Sequence, residues 1–172
     1  MTVLVGSSVS LEEFEEVDVF ISWLDALPSS AKYSVLGTDK FFIVGRYGKE
    51  MLKRSDFEVV NILGKKFLVV SGEAALFPEL FHFAKKNNAT FVVAFNEVQN
   101  LIDLSFCKAK FWAHSQESDL VVFSLLYMQG KVYNNVYVPL RKSENQTGIV
   151  AESLAPVYLS FRDGTLVSEE KK

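Results

Sequence analysis

Few side chains in this chain could carry covalent chemistry. Cys107 is its single thiol, and His82 and His114 are its two imidazoles. Ser71 closes the apolar run Phe67-Leu68-Val69-Val70 just before Gly72-Glu73, where a strand is expected to turn into a helix. A hydroxyl at such a turn is a candidate nucleophile, but it needs a positioned base, and the nearest carboxylates in sequence are Glu73 and Glu79. The competing reading of Ser71 is a small residue suited to a crowded turn, and that is the commoner use. Cys107 shares a predicted helix face with Leu104 and Phe111, the setting of a buried thiol that packs as a small hydrophobe. The histidines are far apart in sequence and lack a His-Glu-x-x-His pattern, so no metal site is expected. One cysteine also excludes a disulfide framework and any cysteine-based zinc site.

These residues need a scaffold, and the composition supplies one. The chain has 172 residues, 49% of them hydrophobic and 13% aromatic. That length is most simply one domain, and a chain of this size buries roughly 70% of the surface its unfolded form exposes. Disorder, which requires low hydrophobicity and high net charge, is excluded. With 18 basic and 21 acidic residues the net charge is −3, which leaves no basic footprint for nucleic acid. The longest apolar run, Leu120 to Met128, is interrupted by Ser124 and falls well short of the ~20 residues of a membrane helix. No basic region precedes the short apolar N-terminal stretch, so no secretory signal is expected. The expectation is a cytoplasmic globular domain over residues 1–167 with a charged tail at 168–172, no membrane contact and no cofactor.

Short apolar runs at Met1–Ser7, Val17–Ile21, Phe41–Gly45, Phe57–Leu63, Phe67–Ser71, Thr90–Phe95, Leu120–Met128 and Val132–Val138 read as strands. Several are continuous rather than alternating, which implies strands covered on both faces. Val132–Val138 alternates and is closed by Pro139, which suggests a strand nearer an edge or the surface. Ser10-Leu11-Glu12-Glu13 fits a capping box. Pro78 suits a first helical position, with Phe77, Leu80, Phe81 and Ala84 forming one stripe that ends near Asn87-Asn88. A further helix is predicted over Ser105–Ser118, and turns are predicted at Gly64-Lys65, Gln129-Gly130 and Arg162-Asp163-Gly164. Strands alternating with helices, plus hairpins, predict an α/β fold with mixed sheets.

The stretch from Phe57 to Phe95 resembles the nitrilase, or carbon–nitrogen hydrolase, superfamily. The resemblance lies in a hairpin strand, the turn Ser71-Gly72-Glu73, then Phe77-Pro78-Glu79-Leu80 opening a helix, then another buried strand. Tyr47-Gly48-Lys49-Glu50-Met51-Leu52 is similar to the motif around that family's catalytic lysine. Ala113-His114-Ser115-Gln116-Glu117 is similar to a helix end that leads into a buried strand, and the matches keep the family's order from about Val17 to Pro139. The resemblance implies a four-layer α-β-β-α sandwich in a reduced form. It also implies amide or nitrile hydrolysis by a cysteine, a glutamate base and an oxyanion-stabilising lysine.

Carried onto this sequence, the nucleophile position falls on Ser71 or Gly72, and neither is cysteine. The base should come after Val17–Ile21, where the chain reads Ser22-Trp23-Leu24-Asp25. Lys49 alone sits in a recognisable setting, and an exposed lysine in a turn is its commoner reading. The resemblance therefore implies a catalytically degenerate domain with a binding, regulatory or oligomer-forming role. The second reading is a diverged amide hydrolase using Ser71 with Lys49 and one of Glu73 or Asp25. The family's mode of association and the Phe-rich helices imply a homodimer or larger oligomer, and the resemblance implies a small amide-like ligand.

Overall fold

In the computed structural model the described residues are 2–6, 18–22, 41–43, 57–62, 64–71, 75–143, 145–155, 157–162 and 165–169. The capping-box helix near Ser10, Trp23, Asp25, Lys49 and Glu73 lie outside them. Among the described residues, eleven strands form two sheets. The first contains β1 (Thr2–Gly6), β2 (Val19–Ser22), β3 (Phe41–Ile43), β10 (Val157–Arg162) and β11 (Thr165–Glu169), in the order β11-β10-β1-β2-β3. The second runs β4-β5-β6-β7-β8-β9, from β4 (Phe57–Ile62), β5 (Lys65–Ser71), β6 (Phe91–Glu97), β7 (Val121–Met128), β8 (Lys131–Tyr137) and β9 (Ile149–Ser153). The helices α1 (Pro78–Lys86) and α2 (Leu101–Ser118) connect β5 to β6 and β6 to β7.

Both sheets are mixed, as the hairpins predict. β5, β6 and β7 are parallel, because each crossover carries a helix, whereas the hairpins β4–β5 and β7–β8 are antiparallel. Gly64 and the Gln129-Gly130 pair all have positive φ, at 76°, 51° and 82°, as tight hairpin turns require. The continuous apolar runs are explained by two cores. Alternate residues Phe67, Val69, Phe91, Val93, Phe123 and Leu125 face Val3, Val5, Val19, Ile21 and Leu159 of the first sheet. The intervening residues Leu68, Val70, Val92, Ala94, Val122 and Leu126 face α1 and α2. Leu4 alternates to the far side of the first sheet and is fully buried there too.

An aromatic row ties the two sheets together. Phe67 stacks on Phe91 at 4.6 Å between ring centroids, and Phe161 of β10 meets Phe91 edge-on at 5.2 Å. Beyond the second sheet, α1 begins with Pro78 and buries Phe81 and Ala84, as the stripe predicts, while Phe77 is exposed.

Three expectations are corrected. α2 starts four residues earlier than predicted, at Leu101, because the Asn100 side chain accepts a hydrogen bond from the Asp103 amide and caps it. Val132–Val138 lies one strand in from the sheet edge formed by β9, but it is not at the surface, since its polar positions Asn134 and Asn135 are buried. The charged tail expected at 168–172 is strand as far as Glu169, where β11 pairs Ser168 with Leu159 and Glu169 with Tyr158.

Charge closes the helical layer at one end. Asp119, in left-handed conformation at the end of α2, accepts from Arg141 and Lys85, the Arg141 Nε bond measuring 2.8 Å. The Arg141 guanidinium holds the Asp119 carboxyl down at about 2.

Candidate functional site

In a sheet with parallel strands, chemistry gathers where the strands end at their carboxyl edge. Here β5, β6 and β7 deliver Ser71, Glu97 and Met128 to one edge, with Ser71 in register with Phe95 and Phe95 with Leu125. Ser71 therefore ends a buried strand, in the position the sequence predicts. Its hydroxyl, Glu73 and Lys49 are outside the described side chains, so the three predicted site residues are not brought into a measured geometry. Further along the same edge, Asn100, Leu101, Ile102, Met128 and Gln129 line a shallow, open groove at the N-terminus of α2.

The connection from β5 into α1 is held firmly at its helical end. A short 3-10 turn at Ala75-Leu76 leads into α1. The carbonyl of Leu76 lies 3.2 Å from His114 Nε2, so the neutral imidazole of α2 donates to it. The His114 ring packs on Phe81 of α1 at 4.4 Å, and is 4% exposed. Nδ1 of His114 is buried without a partner. Burial pushes the imidazole below its ordinary range, offset in part by the Leu76 carbonyl. His114 thus works as a neutral strut between α2 and the connection from β5. Nothing in its sequence context marks that role beyond its helix-face position beside Phe111.

The one thiol is buried beneath α2. Cys107 lies on the face of α2 that packs on the sheet, 3% exposed, and Asn96 Nδ2 donates to its sulfur at 3.5 Å. Burial raises the thiol above its ordinary value, which suppresses the thiolate that nucleophilic chemistry requires. The packing role expected for Cys107 is the one it has.

The far end of α2 is a tether rather than a site. Trp112 Nε1 donates to the Thr147 carbonyl at 2.7 Å, Gln116 Nε2 donates to the Val138 carbonyl at 2.8 Å, and the Leu140 amide donates to Gln116 Oε1 at 2.9 Å. The last two of these hydrogen bonds are made by Gln116, while its neighbour Glu117 is exposed. Asn145 Oδ1 accepts from the amides of Thr147 and Gly148 and from both nearby hydroxyls, folding the loop that Trp112 and Gln116 hold. Among the described residues no group of three His, Cys, Asp or Glu side chains is placed to hold a metal ion, and no helix is long and apolar enough to cross a membrane.

No protein-family model and no curated protein matches the sequence. Solved structures do match in fold. The NitN amidase from Nesterenkonia sp. AN1 superposes with a TM-score of 0.59 at 10% identity over 95% of this chain and 93% of that one. A cysteine-to-alanine mutant of the Nesterenkonia AN1 amidase from the nitrilase superfamily gives 0.58 at 10% identity, over 98% and 90%. The glutamine-dependent NAD+ synthetase from Acinetobacter baumannii gives 0.51 at 15% identity over 68% of this chain. The chain spans 24% of that synthetase, and 41% of another mutant of the Nesterenkonia amidase. At such identities the likeness concerns the fold: this chain has the nitrilase-like α-β-β-α architecture, in which the described residues form two mixed sheets packed face to face, with α1 and α2 on the outer face of the second.

Proposed function

We propose that this chain is a catalytically degenerate nitrilase-fold domain that acts in the cytoplasm by binding or regulation, as a homodimer. The observation that carries the reading is the position of its one thiol. Cys107 is buried under α2 with its ionisation suppressed, while the end of β5 carries Ser71 and then Gly72 and Glu73. The covalent route of a cysteine amidase has no nucleophile here. Dimer formation is supported by the exposed apolar residues Leu101, Ile102 and Phe106 on α2 and Phe83 on α1, a surface of the kind used for association. The groove beside Leu101 and Ile102 offers an amide-like ligand an apolar wall and the amide groups of Asn100 and Gln129.

The test uses fluoroacetamide, whose acetamide moiety adds covalently at the active-site cysteine of the Nesterenkonia amidase. Under native conditions intact-mass spectrometry is expected to find no adduct on this chain, and a panel of simple amides is expected to go unhydrolysed. Rapid, stoichiometric modification of Cys107 would overturn the proposal.

A second reading keeps Ser71 as the nucleophile of a diverged amide hydrolase, with Lys49 and Glu73 as oxyanion stabiliser and base. It is favoured by Ser71's place at the end of a buried parallel strand. It requires turnover of an amide that Ser71→Ala abolishes without loss of folding.

A further inference from the structure

The layer between α2 and the second sheet contains polar side chains that the protein itself leaves unmatched. Ser124 of β7 lies directly across from Asn135 of β8, and Tyr137 stands two residues further along β8 on the same face. All three are buried, with exposures of 0%, 1% and 1%. Ser124 Oγ, both amide atoms of Asn135 and the Tyr137 hydroxyl have no protein hydrogen-bond partner. Buried groups of this kind are almost always satisfied, by protein or by ordered water.

Their surroundings favour water over other occupants. The neighbouring position on β6, paired with Ser124, is Ala94, so two small side chains lie side by side on this face. Apolar neighbours, among them Val122, Leu126 and Phe111, close the rest of the layer. On the neighbouring strand, Glu152 pairs with Asn135 in register and its carboxylate is neutralised by an ion pair with Lys108 of α2. An uncompensated charge that would call for an ion is therefore lacking among these groups, whereas an unpaired donor beside unpaired acceptors suits water, which offers both. Tyr137 packs in the same core as Cys107 and Phe111 of α2, and burial raises its phenol. Directly opposed strand residues have Cβ atoms about 4.5–5.5 Å apart, a span that one bridging molecule can cover.

We infer that an internal ordered-water site is built between α2 and the second sheet, held by Ser124, Asn135 and Tyr137. The site does not depend on the functional reading above. A crystal structure of the full chain at near-atomic resolution is expected to show at least one water within about 2.6–3.2 Å of both Ser124 Oγ and the Asn135 amide. A dry space, or direct protein hydrogen bonds to these atoms, overturns the inference. In solution, oxygen-17 relaxation dispersion on the wild-type chain and on Ser124→Ala is expected to lose at least one long-lived water in the variant. An unchanged number of long-lived waters also overturns it. Should Ser124→Ala fail to fold, the wild-type density decides.

Discussion

His114 shows how much one side chain can carry without a motif to announce it. Its Nε2–H holds the Leu76 carbonyl and its ring packs on Phe81, so it links both helices to the connection between Ser71 and α1. Protonation would put a second N–H at Nδ1, where nothing accepts it. The folded-state pKa is therefore lowered, chiefly by burial, from an ordinary value of 6.5. A group depressed in this way binds more protons when unfolded, so its contribution to stability is present above about pH 6.5 and is lost as the pH falls below it. One such site accounts for at most about 2 kcal/mol at pH 5, from 1.36 kcal/mol per pH unit. Urea unfolding at pH 8 and pH 5 is expected to show this loss in the wild-type chain and a smaller loss in His114→Phe, which keeps the aromatic contact. Equal pH dependence in the two would remove His114 as the cause. Cys107 teaches the complementary point, since its type alone suggests reactivity and its burial removes it.

At the scale of elements, α2 organises the second sheet through both of its ends. The Asn100 cap fixes where it starts, and Trp112 and Gln116 fasten the loop that joins β8 to β9. Gly148 is the point where that loop passes closest. Its φ is +74°, and a Cβ there would lie 2.8 Å from Gln116 Nε2 and 2.9 Å from the Val138 carbonyl oxygen. Gly148→Ala therefore combines left-handed strain of about 1–2 kcal/mol with a backbone collision. Thermal unfolding is expected to place the variant at least about 2 kcal/mol below wild type. Near-equal stability would mean that the loop can move off α2 at little cost.

For the whole molecule, the exposed apolar residues of α2 call for a cover. Leu101 and Ile102 are 68% and 81% exposed on the helix that also closes the second core. Under the proposed dimer, light scattering coupled to gel filtration is expected to give twice the chain mass of 19.4 kDa at micromolar concentration. Ile102→Asp, on the outer side of α2, is expected to shift the chain to monomer with its fold retained. A wild-type monomer at high concentration, or an Ile102→Asp dimer, would move association to another surface.

The α/β class, the mixed sheets, the hairpins at Gly64 and Gln129-Gly130, and the Pro78 helix start were all legible in sequence, because hydrophobic period, turn glycines and caps are local properties. So was the absence of cysteine from the end of β5, which shapes the functional proposal. Three things depended on tertiary contacts. β9 covers the outer side of Val132–Val138 by pairing along it, and the fold buries Asn134 and Asn135, which no alternation within the segment could reveal. The strut at His114 joins residues 38 positions apart, and the unmatched Ser124 and Asn135 meet only because two strands fall into one register. Local sequence fixes what each segment can form, but partners far along the chain meet only when the sheets assemble, and their contacts decide which polar side chains are buried and which of them find a hydrogen bond.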